Sequence, residues 1–178
     1  MYSCTTFLSA LLRQQLGPTV SAVTRASVLI VGLGNPLRGD DGFGARVIEE
    51  LAKEALPNGT QLLDAGTAGL ELVLEWMGRE AVLVVDAGQF DGSPGEVRRF
   101  DLLACALPHI DWSLGHAHGL AASVELAKAL GACPRHLDLY AVEPLDTSEP
   151  HRLSNSVEQA IPLVVSLLLD HLSSLLAG

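Results

Sequence analysis

The chain has 178 residues, 48% of them hydrophobic and 4% aromatic, with a formal net charge of −10 at pH 7. These values predict one globular domain whose core is built mainly from Leu, Val, Ala and Ile side chains. The acidic charge disfavours nucleic acids and anionic membranes as partners, because both are bound by clustered Lys and Arg side chains.

Hydrophobic periodicity predicts strands alternating with helices along most of the chain. In chain order these are a strand at 28–33, helix at 44–56, strand at 60–63, helix at 69–77, strands at 81–87 and 96–100, helix at 117–130, strand at 136–142 and helix at 153–175. This alternation is typical of an α/β fold, here a three-layer αβα sandwich with a mostly parallel, twisted sheet of about five strands. A flavodoxin-like 2-1-3 order would place strands 1 and 3 side by side at the ligand-binding edge.

The first 27 residues stand apart from this pattern. Their FLSALL stretch lacks the preceding basic residues of a signal peptide. Residues 1–27 are therefore expected to be a poorly ordered extension, or to lie upstream of the natural start, before a single domain at 28–178. No apolar run reaches the roughly 18 residues that span a bilayer, so membrane insertion is not expected. The cysteines Cys4, Cys105 and Cys133 are scattered and include no CxxC pair, which favours a reducing, cytoplasmic location.

The most informative segment is VLIVGLGNPLRGDDGFG, residues 28–44, where a buried-type strand ends in a glycine turn carrying two adjacent carboxylates, Asp40 and Asp41. Asp86 ends the third strand, and His116 lies directly before the third helix. Open α/β sheets bind ligands outside the carboxyl ends of their strands, so Asp41, Asp86 and His116 are expected to converge there. Two carboxylates and an imidazole suit Ni, Zn, Mn or Fe and leave coordination positions free for water or substrate.

Each of these residues also has a simpler explanation. Asp41 could be a helix N-cap that accepts backbone N–H bonds. Asp86 could be a solvated turn residue, and His116 or His118 an ordinary surface histidine. None of these explanations accounts for two acids and an imidazole at one edge of the sheet. If the two carboxylates lie close together in an empty site, their repulsion predicts one raised pKa.

Other enzyme signatures are incomplete or absent. The glycines of residues 32–34 begin a dinucleotide-binding GxGxxG, but Leu37 stands where the third glycine belongs. Neither a Walker A loop nor a GxSxG elbow occurs. The VGLGNP stretch resembles the opening of peptidyl-tRNA hydrolases, yet the tyrosine and the histidine–asparagine pair that follow in that family are missing. A peptidyl-tRNA hydrolase-like enzyme is therefore the least favoured alternative.

Five sequence blocks occur in order along the chain: GxGNxLxxDDGxG at 32–44, DAGTAGLEL at 64–72, VVDA at 84–87, the histidine loop before the third helix, and AVEP followed by LSNSVEQA between 141 and 160. Together they resemble the hydrogenase maturation proteases, endopeptidases that finish the large subunit of nickel–iron hydrogenases. By this resemblance Asp41, Asp86 and His116 are both metal-contacting and catalytic, and His118 falls at a variable position. Asp40 is expected to orient the loop, because neighbouring residues in extended chain point to opposite sides.

The resemblance implies a metal-dependent endopeptidase, of aspartic or metallo type, that removes the C-terminal extension of a hydrogenase large-subunit precursor. Nickel would arrive with that precursor, so the site of the isolated protease can be empty, and a monomer or weak homo-oligomer is expected. Two alternatives stay open. The three residues could only sense nickel while strain in the tail drives cleavage, or the chain could be a non-catalytic nickel-sensing chaperone. Asn35 and Glu143 are expected to be structural or pocket-wall residues.

Overall fold

The computed structural model of the chain describes residues 26–104, 117–148 and 152–176, with the backbone alone at 117 and 118. The extension predicted at the N-terminus therefore lies, except for Ala26 and Ser27, outside the described residues. The same holds for the predicted ligand His116.

A five-stranded sheet forms the centre of the molecule. Its strands are β1 (Val28–Leu33), β2 (Thr60–Gly66), β3 (Ala81–Ala87), β4 (Val97–Asp101) and β5 (His136–Val142). They lie in the order β2-β1-β3-β5-β4, and all neighbours are parallel except β4, which runs antiparallel to β5. The mostly parallel sheet and the 2-1-3 neighbourhood are both confirmed. Beyond β3 the order departs from flavodoxin, because β4 turns back and pairs at the outer edge.

The two central strands owe their position to their composition. β1 and β3 consist mainly of aliphatic residues, and every residue of both is buried, including Asp86 near the end of β3. Such runs are typical of parallel strands covered by helices on both faces. β4 has mostly exposed or half-exposed side chains, as expected of an edge strand.

Four helices cover the sheet: α1 (Phe43–Leu51), α2 (Leu72–Trp76), α3 (Ala117–Leu130) and α4 (Asn155–Leu176). A short 3-10 helix, Gly39–Gly42, precedes α1. Buried side chains of α1 and α4 share one core with one face of the sheet, and those of α2 and α3 share a second core with the other face. This arrangement confirms the three-layer αβα architecture.

Two helices are shorter than the periodicity predicts. α1 ends at Leu51 rather than at residue 56, and no residue from 52 to 55 is buried. Helix in this part of the chain therefore has no core to pack against, and packing rather than propensity supplies most helical stability. α2 spans only Leu72–Trp76, because residues 69–71 form turns and Gly78 has a positive φ of 77°.

The last helix is long and apolar enough to cross a membrane by length and composition alone, which differs from the expectation drawn from uninterrupted apolar runs. The fold explains part of its apolar character, although Leu163 and Leu167 are exposed. The buried side chains recur at helical spacing and belong to the core beneath α1, namely Val157, Ala160, Ile161, Val164, Leu168 and Leu172. α4 is thus an amphipathic layer of the sandwich.

Candidate functional site

The turn after β1 folds back onto the end of its own strand. Gly34 has a φ of 117°, and a Cβ placed on it would lie 1.8 Å from the backbone oxygen of Asp41. Only glycine tolerates both the conformation and this close approach. The return of the chain at Gly34 brings the 3-10 helix, and with it both aspartates, to the carboxyl edge of the sheet.

Asp41 is 4% exposed, and its Oδ2 accepts the backbone N–H of Asn35 at 3.0 Å. This hydrogen bond ties Asp41 to the turn after β1. The N-cap of α1 is Gly42, and that cap has no side-chain hydrogen bond. The N-cap explanation of Asp41 is wrong.

Asp40 is fully buried and holds distant parts of the chain together. Its carboxylate accepts the N–H groups of Leu145 at 2.8 Å, Asp146 at 3.0 Å and Ser154 at 2.6 Å, together with the Ser154 hydroxyl at 2.9 Å. This agrees with the predicted orienting role. The geometric reason differs, because the two acids lie in a 3-10 helix, whose three residues per turn separate adjacent side chains, and not in extended chain.

Asp86 lies within β3 and is 4% exposed, so its explanation as a solvated turn residue is wrong. Val82 and Val84 of the same strand face the core of α2 and α3. Because side chains alternate along a strand, Asp86 faces that layer too. Its Oδ1 accepts the N–H of Ala87 at 2.8 Å and lies 3.7 Å from where a Cβ on Gly34 would be.

Burial raises the pKa of Asp86 to about 8, and the negative charge of Asp41 adds to the effect, while the hydrogen bond from Ala87 opposes it. The two carboxylates therefore interact, but burial and not their repulsion is the larger cause of the raised pKa. A carboxyl group that holds its proton near neutral pH is unusual, and such shifts cluster at functional sites.

The start of α3 approaches the same edge of the sheet. A Cβ on Gly119 would lie 2.8 Å from the Cα of Gly69, and the Ser123 hydroxyl donates to the Gly69 carbonyl oxygen at 2.9 Å. Gly69 follows β2, whose carboxyl end lies beside that of β1. The helix that follows His116 thus begins at the carboxyl edge.

The structure brings together two members of the predicted set of three, Asp41 and Asp86. His116 lies outside the described residues, and the side chain of His118 is not described. Within the parts of the chain that are described, no group of three His, Cys, Asp or Glu side chains could hold a metal ion. The histidine member remains a prediction.

Two further residues shape the loops around the acids. Asn35 accepts the N–H of Leu37 with its side-chain oxygen at 2.9 Å, which fixes the turn after β1. Glu143 is 7% exposed, and its Oε2 accepts the N–H groups of Phe90 at 2.8 Å and Gly92 at 3.1 Å. Both therefore hold loops in place, as the sequence predicted. The contribution of Ser154 was missed, although its place before the last helix is a common position for a capping serine.

Similarity to known proteins was assessed against this geometry. A family model described as hydrogenase maturation protease matches residues 45–171. The hydrogenase expression/formation protein HupD of Bradyrhizobium diazoefficiens is 36% identical over 135 residues, which cover 74% of this chain and 69% of that protein. The hydrogenase 2 maturation protease of Escherichia coli is 32% identical over 140 residues, covering 75% and 83%.

Among solved structures, the hydrogenase maturating endopeptidase HybD of Escherichia coli superposes with a TM-score of 0.71 at 27% identity, covering 83% of this chain and 92% of that one. Matches to three HupD relatives span between 59% and 69% of their own lengths. The matched family model covers most of α1, strands β2 to β5, α2, α3 and most of α4, and it begins after β1 and Asp41. The chain therefore belongs to the hydrogenase maturation protease family.

Proposed function

We propose that the chain is an endopeptidase that removes the C-terminal extension from the large-subunit precursor of a nickel–iron hydrogenase. The observation that carries this proposal is the pair of buried carboxylates, Asp41 and Asp86, which interact at the carboxyl edge of the sheet in a member of this family. The names of the similar proteins support the substrate class, since they refer to hydrogenase maturation.

The donor set suits nickel carried by the precursor. Carboxylate oxygens from Asp41 and Asp86, with an imidazole from His116, are ligands that Ni²⁺ accepts. Burying two acids side by side is unfavourable without a positive charge, and the raised pKa of Asp86 reflects that cost. Nickel held there would polarise the carbonyl of the bond to be cut or lower the pKa of a bound water.

The protein side of the reaction follows from the hydrogen bonds. Asp41 is fixed by the N–H of Asn35, and Asp86 by the N–H of Ala87, so both carboxylates are oriented before substrate arrives. With a pKa of about 8, Asp86 carries a proton at neutral pH when no cation is present. One protonated and one neighbouring acid form an acid–base pair of the kind that aspartic proteases use. We therefore assign the enzyme an aspartic or metallo type, with nickel as part of the substrate.

Mass spectrometry of the large subunit tests the proposal. Nickel-loaded precursor is mixed with the wild-type protein or with Asp41→Asn, Asp86→Asn or His116→Ala, and the loss of the extension is followed over time. We expect shortening by the wild type and near-complete loss of it in all three variants. His118→Ala is the matched control and should retain activity.

Two outcomes would overturn parts of this assignment. Wild-type rates for all three variants would exclude the site and leave strain in the tail as the driving force. A precursor whose mass never changes with the wild-type protein would favour the chaperone alternative. We further propose that the protein acts in the cytoplasm as a monomer or weak homo-oligomer, which cell fractionation and light scattering would check.

A further inference from the structure

A cavity of about 320 Å³ opens beside the segment that carries Asp41. Asp41 bonds to the N–H of Asn35, and the residues that follow these two, Gly42 and Pro36, both line the cavity. The two walls approach closely, because a Cβ on Gly42 would lie 3.0 Å from the Cα of Pro36. The cavity lies between α1 and the segment before α4, on the side of the sheet opposite the layer that Asp86 faces, so it would receive a part of the substrate beyond the residues held at Asp41 and Asp86.

The cation available to an anion at this cavity is Arg152, which precedes α4. The other lining cation, Arg46 of α1, is paired with Glu49 and Glu50, and Glu158 is a lining acid. α4 has 22 residues and begins at Asn155 on the cavity wall, so the positive end of its helix dipole lies there as well.

Arg152 differs from the other cations of the described residues. In residues 26–104, 117–148 and 152–176, every other Lys or Arg side chain has an ion pair or a hydrogen bond, namely Arg38, Arg46, Lys53, Arg79, Arg98, Arg99, Lys128 and Arg135. Arg152 has neither within those residues, although acidic residues outnumber Lys and Arg by 21 to 11 in the chain. An exposed guanidinium without a partner, at the rim of a cavity, can bind a carboxylate of another molecule.

We infer that this cavity is a subsite for a carboxylate carried by the C-terminal extension of the precursor, and that Arg152 binds it. This inference rests on the proposed function, because it assigns the cavity to the same substrate. A guanidinium can hold a carboxylate through two parallel hydrogen bonds, which fixes orientation as well as position. The subsite would set the register of the extension relative to Asp41. The carboxylate can come from an Asp or Glu side chain or from the end of the extension.

Steady-state cleavage of nickel-loaded precursor tests the subsite. Arg152→Glu should raise KM about tenfold, the effect expected from losing one charge-assisted hydrogen bond, and leave kcat near wild type. Arg152→Lys keeps the positive charge but lacks the paired N–H donors of the guanidinium, so its KM should lie between those of the wild type and Arg152→Glu. Arg135→Glu is the matched control, since its side chain is 80% exposed and it directly precedes β5, at the opposite end of that strand from the cavity.

Changes to the substrate identify the carboxylate. Replacing the acidic residues of the extension by amides should raise KM for the wild type and not for Arg152→Glu if a side chain is recognised. To test the chain end, synthetic extension peptides with a free or an amidated C-terminus are compared. Their binding to the wild type and to Arg152→Glu is measured by fluorescence anisotropy.

The possible failures are distinguishable. If the wild type shortens the precursor and Arg152→Glu does so with an unchanged KM, the subsite is wrong while the proposed function stands. An equal rise in KM for Arg135→Glu would show only a general charge effect and would also overturn the subsite. If the wild type does not shorten the precursor at all, the proposed function fails, and the subsite with it.

Discussion

Two buried aspartates on neighbouring strands are held in opposite ways. Asp138 of β5 is 3% exposed, and its Oδ1 accepts the Arg99 Nε–H at 2.9 Å, which raises the pKa of Arg99. Asp86 of β3 is 4% exposed. Burial raises its pKa, and the charge of a second acid, Asp41, adds to the effect. Asp138 lies in a region where the fold supplies the opposite charge, while Asp86 lies where the fold supplies more of the same charge.

The difference distinguishes a structural acid, Asp138, from Asp86, the acid that we propose is functional. A buried carboxylate that is paired costs the fold little beyond desolvation, because its partner offsets the charge. A buried carboxylate placed against another acid is unfavourable, and folded proteins tolerate that arrangement mainly at sites of binding or catalysis. Asp86 and Asp138 are equally buried, so burial does not distinguish a candidate site residue from a structural one. The sign of the neighbouring charge does.

The largest expected effect is on catalysis. We expect Asp86→Asn to lower the rate of extension removal about 10³-fold, a loss within the range found when a positioned acid or base is removed. Asp138→Asn is equally buried and should leave the rate near wild type, because its contacts lie on β4 and not at the carboxyl edge. Rates are measured on nickel-loaded precursor. Similar losses in both variants would erase the distinction between the two aspartates.

The next effect concerns stability and the third buried acid, Asp40. Asp40→Ala removes the acceptor of three N–H groups and a hydroxyl, so it should lower the free energy of unfolding by about 3 to 5 kcal/mol. Ser154→Ala keeps the N–H bond to Asp40 but removes the hydroxyl bonds to Asp40, to Ser156 and from the N–H of Val157, so it should lower the free energy of unfolding by about 1 to 2 kcal/mol. Urea unfolding curves compare the two. If both variants unfold at the same urea concentration, the Asp40 contacts contribute little.

The smallest effect expected is a dependence of stability on pH. The folded-state pKa of Asp86, about 8, lies above its ordinary value of 3.8, so between these values the folded state binds a proton that the unfolded state releases. Stability from this group is therefore complete below pH 4 and is lost as pH rises through 8, by roughly 2 to 4 kcal/mol between pH 5 and 8.

The loss of stability between about pH 5 and 8 should occur in metal-free wild-type protein. It should be absent in Asp86→Asn, whose side chain has no carboxyl proton to lose. Thermal or urea unfolding at a series of pH values measures it. A wild-type stability that rises with pH over this range, once the variant's own pH dependence is subtracted, would contradict the assigned protonation state.

The sequence predicts the parts of the fold that rest on local pattern. β1, β3 and β5 have the predicted bounds, the first two because they are largely aliphatic runs and β5 because hydrophobic residues recur along it between a loop and Glu143. The convergence of Asp41 and Asp86 follows from the 2-1-3 strand order, because parallel neighbours end at the same edge. Here a one-dimensional pattern was sufficient to place two members of the site.

Other features depend on contacts between distant residues. Asp40 and Asp41 are adjacent and chemically identical, and only the bonds of Asp40 to Leu145 and Ser154 separate their roles. α1 ends at Leu51 because the residues that follow have no core surface to pack against. The outer position of β4 depends on its pairing with β5, about forty residues later in the chain. No periodicity encodes such contacts.

The bonds between Asp40 and Ser154 have a consequence for synthesis on the ribosome. The acidic turn is translated early, but its anchoring serine emerges only with the last helix. A nascent chain can therefore form its first strands without completing the surroundings of Asp41. Peptidase competence would therefore be acquired only near the end of translation.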